Sequence, residues 1–402
     1  MRLNSSATRL SLLLGLLIGA APVPAFSVDI VQIYREALGN DAQYAAARAA
    51  AEAGREKLPQ GRAGLLPTIG GSANTVWNDN RYRPENSPTV SRDFSTHAYN
   101  LNLTQPLFRW QNFVQYDQSK LQVAQTEANF AQASQDLILR VAQAYFDVLY
   151  AQEALRAVRA NKEAIGLQLE QAKKYFEVGT ATITDSQEAQ SRYDLAVAQE
   201  IAAENDLQVR RYALHVIVGR DAGELDRLKP EAQLEPPQPA ALAPWVDAAA
   251  LDSFVVQAQQ LAAEIAAKEI DRMRAGHYPT LDAVANYGQN RAPQGLSSAM
   301  DTNSANIGLQ LNIPIYQGGF INSKTREAVA NRTAAEAALD SARRAATLNS
   351  RQSFLGVVNG LAQINALEAA LISSRSALES NKLGYEVGVR INIDVLNAQS
   401  QL

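Results

Sequence analysis

The sequence contains no cysteine and only three histidines, three tryptophans and three methionines. Without thiols there is no disulfide framework, no thiolate ligand for a metal, no cysteine nucleophile and no cysteine to carry a lipid. The histidines, His97, His215 and His277, are scattered along the chain. No phosphate-binding P-loop, HExxH or GxSxG pattern is present, so nothing points to an enzyme or to a bound cofactor or metal. Charge is also sparse: 19% of residues are Asp, Glu, Lys or Arg, and the net charge is −4. No basic run or basic domain exists, which argues against a nucleic-acid partner.

Beyond the first 25 residues there is no uninterrupted run of 18 apolar residues, so no transmembrane helix is expected. Those 25 residues read as a secretory signal peptide. Arg2 and Arg9 flank the start of the apolar stretch LSLLLGLLIGA, and Val23 and Ala25 form a small-residue cleavage signal before Phe26. The mature chain would carry a net charge of −6.

What the chain does have is a twofold repeat. YFEVGTATITDSQEAQ begins at Tyr175, and GYEVGVRINIDVLNAQ begins at Gly384. Gly179 and Gly388 are 209 positions apart, as are Asp185 and Asp394. RAGLLPT (Arg62–Thr68) returns as RAGHYPT (Arg274–Thr280), 212 positions on, and LTQPLF (Leu103–Phe108) returns as LNIPIY (Leu311–Tyr316), 208 positions on. Three matches in the same order, with Pro, Gly and Asp at matched positions, mark duplication rather than compositional bias.

Each copy reads as helix, strand, loop, strand, long helix, tight turn, helix. The first spans 26–218, with a strand pair at about 66–105, a long helix at about 113–176, a turn at 177–185 and a helix at 186–218. A Pro-rich linker, 219–246, separates it from the second copy, 247–402. There the strand pair falls at about 279–314, the long helix at about 320–383 and the turn at 384–393. The strand positions alternate: Tyr99, Leu101 and Leu103 with Asn100, Asn102 and Thr104, and Ile307, Leu309 and Leu311 with Gly308, Gln310 and Asn312. One face is therefore apolar and the other polar. The long helix keeps a seven-residue period through Val141, Ala144, Val148, Ala151, Leu155, Val158, Lys162, Ile165, Leu169, Ala172 and Phe176, broken only by Lys162, as in a coiled coil. In the second copy only eight residues follow Asp394. The last helix is thus expected to be cut short, as in a fragment of a longer reading frame, leaving the seam of the long helix uncovered.

A sheet with one apolar face suits a membrane β-barrel, or packing on the chain's own helices. Four strands cannot close a barrel, because open edges in hydrocarbon leave backbone groups unpaired; chains must then share it, two giving eight strands or three giving twelve. At the turns, Gly179 suits a left-handed helix C-terminus, and Asp185 with Glu188 resembles a capping box.

Together these features resemble the TolC family of outer-membrane efflux and secretion channels. The resemblance rests on the twofold repeat, the paired RAGxxPT segments, QPLF and IPIY, and the EVG…D turns. It implies a mixed fold: long coiled-coil helical hairpins, plus four strands per chain contributed to a twelve-stranded outer-membrane barrel. It also implies a homotrimer with a periplasmic helical tunnel, docked through a periplasmic adaptor to an inner-membrane ABC or proton-driven transporter. The missing lipidation cysteine and RAGHYPTLDAVANYG look more like the type I secretion branch than lipid-anchored drug efflux. A periplasmic coiled-coil adaptor is the alternative, though it does not explain the duplicated strands.

By the same resemblance, Asp185, Tyr385, Arg390, Asp394 and Asn397 are expected at a periplasmic gate, with Arg390 bonded to Asp185 and Asn397 standing where the family has a second Asp. Gly179 and Gly388 mark the helix turns, and Pro67, Pro106, Pro279 and Pro314 the junction of barrel and tunnel. Copy two keeps the family's Gly-Gly as Gly318-Gly319, where copy one has Arg109-Trp110.

Overall fold

The computed structural model describes residues 28–83, 85, 88–229, 234–293 and 299–402. The expected signal peptide lies outside the described residues, as does part of the Pro-rich linker.

The first copy opens with three short helices in place of the single one expected: α1 (Ile30–Asn40), α2 (Ala42–Arg55) and α3 (Lys57–Ala63). Asp41 makes the first break. Its backbone is extended, and its carboxylate caps α2 by accepting the Tyr44 N–H at 2.6 Å. Strands β1 (Thr68–Tyr82) and β2 (Val90–Phe108) follow, then α4 (Trp110–Glu177), whose 68 residues span roughly 100 Å at 1.5 Å each. Helix α5 (Ile183–Val218) returns beside α4 and ends at Gly219, whose φ of 81° an L-residue adopts only with strain.

The second copy begins inside the expected linker, with α6 (Leu242–Asp252). Ser253 breaks the helix and caps α7 (Phe254–Arg274). Strands β3 (Thr280–Pro293) and β4 (Ala299–Asn312), helix α8 (Phe320–Glu386) and helix α9 (Asn392–Gln401) complete it. The four strands form one antiparallel sheet in the order β1-β2-β3-β4, so the two copies join through β2 and β3. Strand β2 runs three residues past its expected end: Pro106 lacks an N–H, and the ladder shifts register between it and Phe108 instead of stopping.

The main core sits at mid-height of the helices. Ile33, Leu137, Val141, Val148, Leu214 and Val218 are fully buried there. Tyr145 ties the two ends of copy one to this core: its hydroxyl donates to the Asp226 carbonyl at 2.8 Å and the Val28 carbonyl at 3.3 Å. The bidentate Arg140–Asp41 pair, with both bonds at 2.9 Å, closes the same region. Along the α4 seam most of the heptad positions are buried, whereas Phe176, near the turn, is exposed. Lys162, the one charged position, bonds Glu200 of α5, which also accepts from Arg159 at 3.0 Å.

One expectation is corrected. Helix α8 does hold an 18-residue stretch of mean hydropathy 1.4, long and apolar enough by composition to cross a membrane, and none of it is buried in the chain. Interspersed Val, Leu, Ile and Ala raise the mean without any continuous apolar run. Its exposed residues include Leu355, Val358, Leu367 and Ile372.

Candidate functional site

Two regions bring the singled-out residues together: the ends of the two helical hairpins, and the sheet with its junction to the helices.

At the hairpin ends, Gly179 and Gly388 have φ of 79° and 80°. In each turn the backbone folds back the same way. Thr180 N–H donates to the Tyr175 carbonyl at 2.8 Å, and Val389 N–H to the Gly384 carbonyl at 2.9 Å. The repeat thus encodes one turn geometry twice. Asp185 belongs to a capping box, but a different one from that expected. Helix α5 starts at Ile183, so Thr182 is the cap. Its hydroxyl accepts the Asp185 N–H at 3.2 Å, while the Asp185 carboxylate accepts the Thr182 N–H at 3.0 Å. The side-chain contacts of Asp185 are with Thr182. Arg390 turns instead toward Asp394, at 3.7 Å, its stem crossing Gly384, where an added Cβ would lie 2.6 Å from Arg390 Cγ.

Tyr385 sits against Tyr175 with ring centroids 6.3 Å apart, joining the two hairpins. Burial raises its hydroxyl pKa above the ordinary value, and the charge of Asp185 adds to the rise. Asn397, on α9, accepts from the Arg192 guanidinium of α5 at 3.0 Å. Nothing in the repeat or its period marks Arg192. Below this bond Leu396 is buried among Ile165, Leu169, Ala172 and Ala189. The buried Gln168 Oε1 and Asn392 Nδ2 find no partner among the described residues.

In the sheet, lateral neighbours share a face. One face carries the rows Ile69–Leu103–Ala285–Ile307 and Gly71–Leu101–Tyr287–Ala305, and the other carries Gly70–Asn102–Asn286–Asn306 and Ser72–Asn100–Gly288–Ser304. The apolar face is exposed: Ile69, Ile307 and Leu309 are each at least two-thirds accessible. Strands β1 and β4 each have one unpaired edge. The sheet therefore does not close within the chain and does not rest its apolar face on the helices.

The prolines lie where sheet meets helix. Pro67 and Pro279 immediately precede β1 and β3, Pro314 follows β4 by two residues, and Pro106 lies within β2. The two copies make this junction differently. In copy two Gly318 and Gly319 have φ of 61° and 80°. In copy one Arg109 keeps an extended backbone, φ −138°, and forks its guanidinium onto Asp282 of β3 at 2.8 and 2.6 Å. An ion pair between the copies thus stands where copy two uses glycine.

Comparison with known proteins follows the same outline. Residues 33–220 and 245–402 match the family described as outer membrane efflux protein. The chain is 32% identical to the outer membrane protein TolC of Vibrio cholerae over 388 residues, covering 96% of this chain and 87% of that protein. It is 30% identical to the alkaline protease secretion protein AprF of Pseudomonas aeruginosa, covering 94% and 80%. Among solved structures, the Campylobacter jejuni CmeC outer membrane channel superposes with a TM-score of 0.81 at 18% identity, covering 92% of this chain and 79% of that one.

Proposed function

This chain belongs to the outer membrane efflux protein family, and on that premise we propose that three copies close one barrel and one helical tunnel for export. The protein is an outer-membrane export channel. The observation that carries the assembly is the open sheet: an exposed apolar face flanked by two unpaired edges, β1 and β4. Pairing β1 of one copy with β4 of the next satisfies both edges, which hydrocarbon requires. Three copies give twelve strands and a lumen, whereas two give a filled eight-stranded barrel. The apolar band runs from Leu281 to the level of Gln289, roughly 27 Å along the strand, or about 21 Å upright at a tilt near 40°. That suits a membrane core.

Below the barrel, the hairpins α4–α5 and α8–α9 form the tunnel wall, and their turns form its periplasmic mouth. We place closure of the mouth at Asp185, Tyr385, Arg390, Asp394 and Asn397. Within one chain Asp185 bonds Thr182, so any pairing of Asp185 with Arg390 is assigned to neighbouring copies. Such exposed pairs contribute about 0–1 kcal/mol each, which suits a lock that a docking adaptor releases. Similarity to AprF and to the proteases secretion protein PrtF of Dickeya chrysanthemi favours type I secretion, with a periplasmic adaptor and an inner-membrane ABC transporter as partners. The adaptor reading of the chain itself gives way to its family membership.

The test is made in the membrane. The chain should fractionate with outer membranes and run on gels as a trimer that heat converts to monomer. A monomer extracted without detergent would overturn the reading. Deleting the gene should abolish secretion of a protein encoded beside it, and loss of dye efflux alone would point to small-molecule export.

A further inference from the structure

The polar face of the sheet is unusual in what it carries. From the Thr68–Thr104 level up to Asn78–Phe94, it holds no ionisable residue among those described, and the next level up sets Arg92 beside Asn80, so the charge-free stretch is bounded above by an arginine. It holds asparagines instead: Asn74, Asn78, Asn100, Asn102, Asn286, Asn290 and Asn306. Asn102, Asn286 and Asn306 are lateral neighbours on three adjacent strands, so their side chains stand in one row across the sheet. The row above is shaped to admit another amide: a Cβ on Gly288 would lie 2.5 Å from Asn100 Oδ1, so the glycine leaves room for the Asn100 side chain. The acid on this face, Asp282, lies just below and is 6% exposed, its carboxylate taken up by Arg109.

We propose that this asparagine row is a charge-blind collar, which passes cargo of either sign through the barrel and leaves charge selection to the periplasmic mouth. The proposal rests on closure of the barrel by three copies, which places the row in the lumen as a ring of nine asparagines. Rings of charged side chains set ion selectivity in pores, and a ring of neutral amides sets none. An amide offers both donor and acceptor, so it can replace water around peptide groups whatever the side chains beside them. The cargo class this fits is an extended polypeptide of arbitrary charge. Arg109 serves the collar as a positioning residue, since it removes the lumen's fixed acid.

The test uses the purified full-length protein in planar bilayers under a KCl gradient. Changing Asn102, Asn286 and Asn306 together to Ser should leave the K+/Cl− permeability ratio as in wild type. Changing all three to Asp should raise that ratio at least about twofold, and to Lys should lower it comparably. Arg109→Gln should move it in the same direction as Asp, because Asp282 then faces the lumen uncompensated. A response to one sign only, or to neither, in variants that run as trimers overturns the proposal. Asn102→Asp and Asn102→Lys carry the same test if the triple variants fail to assemble. A wild type that forms no trimer is seen on the gel and overturns the barrel reading instead.

Discussion

The guanidinium of Arg192 donates to Asn397 Oδ1 at 3.0 Å, and this bond joins helix α5 of the first copy to helix α9 of the second. It lies beside the turns, above an interface whose buried Gln168 and Asn392 each leave a polar atom without a partner among the described residues. That interface is under-satisfied, whereas α4 meets α5 through a mostly apolar seam whose one charge, Lys162, is bonded by Glu200. Arg192→Ala removes about 0.5–1.5 kcal/mol from the contact between hairpins. The expected result is a higher single-channel conductance, or more frequent opening, in planar bilayers; records matching wild type would place the lock elsewhere.

Asp185→Ala and Arg390→Ala address the pairing assigned to neighbouring copies. Each should raise conductance. Asp185→Ala should in addition weaken the start of α5 by about 1 kcal/mol, because it removes half of the capping box with Thr182. Conductance unchanged in both variants would sink the pairing.

Lys162 is the single charge on the α4 seam, and Glu200 compensates it. The Lys162 bond, followed by that from Arg159, holds the Glu200 carboxyl below its ordinary pKa. Glu200→Ala leaves Lys162 facing the seam without its acid and should lower the melting temperature of the hairpin. The double change Lys162→Leu with Glu200→Gln should recover most of that, since an apolar seam needs no ion pair. Thermal unfolding of the three variants followed by circular dichroism would show it, and equal melting of Glu200→Ala and wild type would contradict it.

Asp41 gives a pH dependence. Burial works to raise its pKa, but the Arg140 fork and the Tyr44 N–H outweigh it and hold the carboxyl below its ordinary value. Its folded pKa being depressed, the stabilisation is complete above the unfolded value, near 3.9, and is lost as pH falls through the folded value. Asp41→Asn should therefore be less stable than wild type at neutral pH, by about 2–3 kcal/mol. The difference should vanish once acid has protonated Asp41. A difference that persists unchanged in acid would mean that Asp41 acts through packing alone.

The fold was legible wherever periodicity and duplication speak. Alternation in Tyr99–Thr104 and Ile307–Asn312 marked strands, the heptads of α4 marked the long helix, and the paired Gly179 and Gly388 marked both turns, because each is a local pattern. The contacts that couple the copies were not legible. Arg192 with Asn397 and Arg109 with Asp282 lie 205 and 173 positions apart, and no local period selects them. Arg109 looked like a departure from Gly-Gly, when it is a second solution to the same junction. Helix starts also shifted: Thr182, not Asp185, caps α5, because two side chains in one box can exchange the roles that sequence alone assigns.

The central claim is that β1 of one copy pairs with β4 of the next. The chain has no native cysteine, so a paired-cysteine scan is clean. Ala73→Cys on β1 would be combined in turn with single cysteines along β4 from Met300 to Leu311, and the oxidised protein run on non-reducing gels from intact outer membranes. β1 and β4 lie at opposite edges of the sheet, so a disulfide within one chain is out of reach. The account predicts covalent dimers and trimers at one narrow set of β4 positions, alternating with the strand period. Monomers at every position would contradict it.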